Sequence, residues 1–369
     1  MYCRNIFAAT AALACLASAA PSAKRAYSAP STDGFPNPSA QQLAAIEALA
    51  DGQLSNQTPP PTLAASSLTA IQLIAFNENF EVAYFSSLID NITADAPGYN
   101  LNPGSKSELL AVLNTVKAQE ELHALNAKGV LTHFNAFAPP PCTYTFPTTD
   151  IKSAITLAST FTDLVLGTLQ DASQLLASNG DADPVRTIAS VIGQEGEQNG
   201  WYRSLLGFKP SAKPFLTTST APFAFSALQA FVVECPFNQT QEIDIPVFPP
   251  LNVLSGDGGA SVSPQDQTLE FSADLTDAPE GWHQYMDGNG DGLYVTYLTG
   301  LNLPISEPVQ SVHWSGSTVT FKALFPFTEN VMDGLSIAAL TTSGNFSNFD
   351  DVPEATLAAP ALIQVNDML

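Results

Sequence analysis

The chain has 369 residues, enough for two domains, and its 35 acidic residues outnumber 12 basic ones, for a formal net charge of −23. A surface of that sign repels phosphate backbones, which argues against nucleic acid as a partner, and it favours solubility and the accumulation of cations. After the first 25 residues no run of about 18 uninterrupted apolar residues occurs, so no membrane span is predicted.

The amino terminus has the pattern of a secretory signal. Arg4 precedes an apolar run that ends in a small-x-small sequence at residues 17–19, and the dibasic pair Lys24-Arg25 follows as a propeptide-processing site. The pattern predicts a signal peptide over residues 1–19. The mature protein is therefore expected to be secreted, to the extracellular space or the cell wall.

Two cysteines remain once the signal has been removed. In an oxidising compartment an even pair, Cys142 and Cys235, predicts a disulfide, and two free buried thiols are the alternative. The disulfide would close a long loop and contribute about 4 kcal/mol in the chain-entropy model. Four glycosylation sequons fit secretion, although such short motifs also occur by chance: Asn56, Asn91, Asn238 and Asn345.

A helical period dominates the first half of the chain. A short helix is predicted over 39–50, and the breaker Pro59-Pro60-Pro61 follows it. Four longer helices follow at 64–90, 105–135, 150–178 and 183–206. Their expected end signals are Ser105 and Asp150 as N-caps, Gly180 as a stop, and Pro184 in a first turn.

After Leu251 the sequence pattern predicts β-strands. Apolar and polar residues alternate in segments such as 293–298 and 318–324, and Gly, Asn, Asp and Pro bound these segments. A mainly α protein with a smaller β-rich, sandwich-like domain at its carboxyl end is predicted. The expected divisions are a signal peptide at 1–19, a propeptide or linker at 20–38, a helical bundle at 39–210, a Pro-rich connector at 211–250 and the β-rich domain at 251–369.

Polar residues interrupt the apolar stripes of three helices near their midpoints. They are Glu78 on the first, Glu120 and His123 on the second, and Glu195 and Gln198 on the fourth. Residues three apart share a helix face, and a buried carboxylate costs several kcal/mol unless it is paired, protonated or bound to metal. One metal ion would satisfy these groups together. The alternative is a buried polar network with His123 as imidazolium and carboxyl groups that share protons.

These residues carry a resemblance to a known family. Glu78 in FNENFE, Glu120 and His123 in QEELHA, and Glu195 in QEGEQNGWYR resemble the ferritin-like superfamily. The sequence is most similar to secreted fungal stress-response and late-sexual-development proteins, which are related to plant desiccation-related proteins. The loop that ends at Cys142 and the Trp201-Tyr202-Arg203 sequence are also similar. The resemblance covers about residues 35–240 and implies a four-helix bundle of di-iron ancestry.

The departures from the family pattern fall on one half of the implied site. Where the family has a glutamate on the third helix, this chain has Thr162, and Asp163 lies about 100° around the helix. Where the family has the histidine of the fourth helix, this chain has Gln198. The ligand set Glu78, Glu120, His123 and Glu195 is complete for one ion, whereas the set for a second is not. One Fe, Mn or Zn ion, or no ion, is expected.

The resemblance, together with these departures, implies a stress- or development-associated protein with a degenerate, at most mononuclear site and no strong catalytic activity. Its β-rich domain would contact a cell-wall or protein partner of unknown identity. The alternative is an active Fe- or Mn-dependent oxidase, or an iron-binding protein, in oxidative or desiccation stress.

Other candidate sites are weaker. Residues 287–292 resemble the start of a calcium loop, but its twelfth position is Leu298 rather than glutamate, and the same sequence also makes hairpin turns. Three single histidines are expected to pack rather than bind metal: His133, His283 and His313. Three acids beside the stripes are expected to be solvated or to support the ligands: Glu81, Glu121 and Glu197.

Overall fold

A computed structural model describes residues 26–28, 32–255, 261–286, 288–366 and 368–369. The predicted signal peptide, 1–19, and the dibasic pair lie outside the described residues, as does Asp287 of the calcium-like sequence. Within the described part of the chain, no helix is both long and apolar enough to cross a bilayer.

The described residues form eight α-helices and eleven strands. Helices α1–α8 span Ala40–Leu49, Ala65–Thr93, Pro103–His133, Ile151–Asn179, Val185–Leu205, Ala221–Gln229, Gln239–Glu242 and Phe327–Asn330. Strands β1–β11 span Tyr27–Ser28, Thr143–Tyr144, Val232–Glu234, Asn252–Val253, Gln267–Asp274, Tyr294–Thr299, Ile305–Pro308, Gln310–Ser315, Thr318–Phe325, Gly334–Thr341 and Thr356–Val365.

Local capping fixes the helix ends largely as predicted. Asp150 caps α4 by accepting from the backbone N–H of Ser153, and Gly180 ends the helix in the left-handed conformation. The N-cap of α3 is a correction. Asn102, not Ser105, accepts from the Ser105 backbone N–H at 3.0 Å, because the proline after it already belongs to the first turn.

Helices α2–α5 form the predicted four-helix bundle around an aromatic core. Phe80 of α2 lies edge-on to Phe161 of α4 and to Tyr144 of β2, and both contacts are buried. Cys142 and Cys235 form the predicted disulfide, next to the small antiparallel sheet of β1, β2 and β3. This sheet and its disulfide hold the loop after α3 and the chain after α6 against the bundle.

The carboxyl-terminal third of the chain is an antiparallel sandwich, which confirms the predicted fold class. One sheet has the order β11-β10-β6-β7 and the other β4-β5-β9-β8. Inward residues of both sheets, among them Tyr297 and Phe321, share one core. Strand β10 is buried along its whole length, because its other face packs against Leu164 of α4 and Phe223 of α6. The sandwich and the bundle therefore share apolar contacts.

The segment between them is more ordered than the predicted Pro-rich connector suggests. It contains α6 and α7, and residues 217–219 run between α4 and the sandwich. The Thr217 hydroxyl donates to the carbonyl oxygen of Leu335 and accepts from the backbone N–H of Gly300. The backbone approaches α4 most closely at Gly167, where a side chain has no room.

Gly167→Ala is expected to lower the free energy of unfolding by about 1–3 kcal/mol. Its Cβ would fall on the carbonyl oxygen of Thr217 and 2.8 Å from the backbone nitrogen of Ser219, so the backbone must shift. Gly193→Ala on α5 is the matched control, because a Cβ there meets no atom within 4 Å. It should stabilise the helix by up to ~1 kcal/mol. Urea unfolding measures both, and equal stability of the two variants would contradict the close packing.

Candidate metal centre

Three helices bring four ionisable side chains together at the middle of the bundle. Glu78 comes from α2, Glu120 and His123 come from α3, and Glu195 comes from α5. One ligand-type atom from each lies within 4.8 Å of every other. The three carboxylates are buried and the histidine side chain is 16% exposed. The i, i+3 spacing on α3 puts its two residues on one face, which is how the sequence pattern becomes a cluster.

The histidine faces all three carboxylates through one ring atom. Its Nδ1 lies 2.8 Å from Glu120 Oε2, 3.7 Å from Glu78 Oε2 and 3.8 Å from Glu195 Oε1. The contact with Glu120 is a hydrogen bond, and the other two are longer than one. A neutral imidazole in this position would turn its Nδ1 lone pair towards the carboxylates, as a metal ligand requires.

The oxygens of two of the three carboxylates have no hydrogen-bond partner among the described residues. Both oxygens of Glu78 and both of Glu195 are buried without a hydrogen bond. Unpaired buried charge is costly, and a cation among these oxygens would remove that cost. Two atoms that each lie 2.0–2.2 Å from one ion can be at most about 4.4 Å apart, and the distances of 2.8, 3.7 and 3.8 Å from His123 Nδ1 to the three carboxylates fall inside that limit. The donor set fits one ion of the Fe, Mn or Zn type.

Burial and crowding shift the protonation of the cluster. Burial raises the pKa of Glu78 to about 7, and its contacts with His123 offset this only in part. Burial, together with the neighbouring Glu78 and Glu120 carboxylates, raises the pKa of Glu195 well above its usual value. Burial lowers the pKa of His123, but contacts with Glu120 and Glu78 outweigh it and leave this pKa well above 6.5. Without an ion, the cluster therefore retains protons near neutral pH.

Neutral side chains stand at the two positions, 198 and 162, where the family pattern has ligands and this chain does not. The Gln198 amide nitrogen donates to Glu120 Oε1 at 2.8 Å and to Gln119 Oε1 at 3.1 Å. The amide oxygen accepts from the Tyr202 hydroxyl at 3.4 Å, so the donor end of the amide faces the cluster. Thr162 is buried and its hydroxyl has no partner. Sequence reasoning identified Gln198 and Thr162 but missed Gln119, whose role depends on the pairing of α3 with α5.

Asp163, the acid nearest to the missing glutamate, is turned away from the cluster. Its carboxylate accepts from Asn199 Nδ2 at 2.7 Å and from Gln364 Nε2 of β11 at 2.9 Å. Asn199 in turn accepts from the Ser159 hydroxyl. The side chain therefore ties the bundle to the sandwich. Sequence reasoning missed Gln364, because no local pattern signals a contact 201 residues along the chain.

Two of the three acids beside the stripes are buried, which excludes the solvated alternative for them. Glu81 is buried and accepts from Asn77 Nδ2 at 2.9 Å. Glu121 is buried too, and the Lys117 ammonium pairs with it at 2.8 Å. Lys117 also pairs with Asp33 of the amino-terminal segment, which therefore lies next to Glu121. Glu197 is exposed, as predicted.

The remaining candidates contribute no ligands to the cluster. His283 stacks on Trp282 with ring centroids 3.9 Å apart, and His133 lies edge-on to Phe134. His313 is exposed on β8. The described part of the calcium-like sequence forms bends and a turn ahead of β6, and it is preceded by a short 3-10 helix rather than by a strand.

Comparison with known proteins supports a ferritin-like identity for the helical half. A family model described as a ferritin-like domain matches residues 68–208, which include the four clustered side chains. No curated protein matches the chain. The helical region is thus ferritin-like by both sequence and architecture, and a β-sandwich follows it.

Proposed function

We propose that the protein binds one divalent Fe, Mn or Zn ion at Glu78, Glu120, His123 and Glu195, and that it lacks strong di-metal oxidase activity. The orphaned oxygens of Glu78 and Glu195 support the ion, because they are buried acceptors with no donor. When bound, the ion would supply the positive charge that compensates the carboxylates. The role of the four side chains is to hold it and to exclude water from most of its surroundings.

The orientation of Gln198 is the observation that supports one ion rather than two. Its amide N–H already occupies Glu120 Oε1, an oxygen that would otherwise be free for a second ion. The amide oxygen lies on the far side, in contact with the Tyr202 hydroxyl. Thr162 offers a neutral hydroxyl in place of a carboxylate. Gln198 and Thr162 therefore offer a second ion neither the charge nor the inward lone pairs that a hard divalent cation needs. The buried Glu81 carboxyl, whose pKa is raised by burial and by Glu120, Glu195 and Glu78, accepts from Asn77 instead.

The proposal also includes the place where the protein acts. A disulfide and three exposed sequon asparagines, Asn56, Asn238 and Asn345, suit a secreted glycoprotein. Asn91, the fourth, lies half-buried near the end of α2. We assign the protein to extracellular or cell-wall stress or development, where the sandwich would contact a cell-wall or protein partner.

Calorimetric titration of metal-free protein with Mn²⁺, Zn²⁺ and anaerobic Fe²⁺ tests the proposed function. A single-site isotherm is expected for each ion, because one ligand set is complete. Addition of oxygen to the Fe²⁺-loaded protein should give slow oxidation. Two irons per chain that oxidise rapidly would contradict the proposal, and so would the absence of binding by all three ions.

A further inference from the structure

A cavity of about 290 Å³ leads from the surface of the bundle to the metal-binding side chains. Glu78 and His123 form its inner end, and both belong to the proposed ligand set. Exposed residues form its outer part, among them Gln57, Asp183 and Ser190. The volume corresponds to about ten water molecules at ~30 Å³ each, which is more space than an ion requires.

The walls of the cavity are apolar. Helices α2, α3 and α5 contribute six large aliphatic side chains: Ile71, Ile74, Leu122, Val130, Ile188 and Val191. Leu169 of α4 closes one side. Water in such a space has few hydrogen-bond partners along the walls, so an apolar molecule displaces it favourably. The polar side chains among the buried and half-buried lining residues include Glu78 and His123, which would hold the ion, and Asn126.

The segment that follows α1 covers the cavity. Residues 53–60 cross its outer side, and Pro59 and Pro60 lie over the apolar walls. This segment is mostly exposed, and its hydrogen bond to α5 is a long one, from the Thr187 hydroxyl to Gln57 Oε1 at 3.4 Å. The proline run, which in the sequence reads only as a helix breaker, is therefore the outer wall of the cavity.

The charged residues that line the cavity determine which kinds of molecule it can bind. Among the described residues that line it there is no lysine or arginine, and Glu78 and Asp183 are acidic. A divalent ion with three carboxylates and a neutral imidazole leaves a net charge of −1, so an anionic ligand meets repulsion at both ends. A protonated amine has no lone pair with which to bind the ion. The cavity therefore favours an uncharged molecule.

We propose that the cavity binds a small neutral molecule with an apolar body and one terminal oxygen, such as a phenol, alcohol or aldehyde, and directs that oxygen to the metal ion. The inference rests on the proposed function, because the ion is the partner to which the oxygen is directed. The aliphatic walls contact the apolar part of the ligand, and the segment formed by residues 53–60 limits the length of the ligand.

Cobalt-loaded protein tests this with 4-methylphenol as the probe. Co²⁺ suits the same nitrogen and oxygen donors, and its visible absorption bands respond to a change of coordination. Addition of 4-methylphenol is expected to shift these bands and to bind at least tenfold more tightly than to metal-free protein. The anion 4-methylbenzoate, which has a similar shape, should bind at least tenfold more weakly than 4-methylphenol.

Substitutions at the cavity separate a specific site from surface binding. Ser190→Trp, at an exposed position of the mouth, and Val191→Phe, inside it, should each weaken 4-methylphenol binding at least tenfold. Ser204→Trp, exposed on the same helix but away from the cavity, should leave it unchanged. Loaded protein whose bands do not change, or that prefers the benzoate, would overturn the inference while metal binding stands. Failure to take up cobalt would overturn the proposed function, and the inference with it.

Discussion

His123→Ala is expected to weaken metal binding at least 100-fold. The substitution removes the single nitrogen donor of the cluster, and the three remaining carboxylates would then have to share the ion without it. Even residues that only support a ligand typically contribute 10- to 100-fold to metal affinity, so a ligand itself should contribute more. Calorimetric titration with Zn²⁺ or Mn²⁺ measures the change.

His133→Ala is the matched control for that experiment. His133 lies on the same helix, at its last turn, where its ring contacts Phe134 and no carboxylate. Its removal should leave the affinity within about threefold of the wild type. If His123→Ala retained wild-type affinity while folding normally, the ion would have to bind elsewhere, and the four-residue cluster would be a polar network only.

Metal-free protein is expected to lose stability as the pH rises from 5 to 8. Glu78 has a pKa of about 7 in the fold against 4.5 for an ordinary glutamate carboxyl, so the native state binds a proton that the unfolded chain has released. This contribution is fully present below pH 4.5 and is lost as the pH rises through 7. At ~1.4 kcal/mol per pH unit, it amounts to about 3–4 kcal/mol.

The neighbouring groups act in the same direction. The pKa values of Glu195 and His123 are also raised, so both retain protons in the fold that they lose more readily when unfolded. These protons are shared within one cluster and come off as a set. A metal ion must displace them, so its affinity should increase with pH.

Urea unfolding at pH 5, 6.5 and 8, with and without saturating Zn²⁺, checks this prediction. Metal-free wild-type protein should be least stable at pH 8. Saturating Zn²⁺ should increase the free energy of unfolding more at pH 8 than at pH 5 or 6.5. Glu78→Gln is the informative variant, because it removes the titrating carboxyl but keeps its shape. Its metal-free stability should depend less on pH than that of the wild type. If the free energy of unfolding depended equally on pH in the two proteins, Glu78 would not be the group responsible for the pH dependence.

The sequence predicts the bundle well because its helices are long, periodic and marked at their ends. Asp150 and Gly180 act as the cap and the stop that their residue types suggest. The i, i+3 pair on α3 and the mid-helix position of Glu78 are local patterns too, and for that reason the four clustered side chains can be identified before the fold is known. Helix pairing then brings them into contact.

The sequence predicts poorly whatever depends on contacts between distant segments. Burial of Glu81 and Glu121 follows from which elements cover α2 and α3, and no local pattern encodes that. The bond from Gln364 to Asp163 joins β11 to α4. The cavity depends on where the segment over residues 53–60 lies, and a proline run by itself indicates only that a helix ends.

The central claim is that this ferritin-like bundle retains one ion site and has lost the other. Anomalous scattering from crystals grown with saturating Mn²⁺ tests it most directly, because it locates and counts the ions at once. One anomalous peak per chain is expected in the bundle. It should lie within about 2.0–2.3 Å of ligand atoms from Glu78, Glu120, His123 and Glu195. A second peak beside Gln198 and Thr162, or no peak in the bundle, would contradict it.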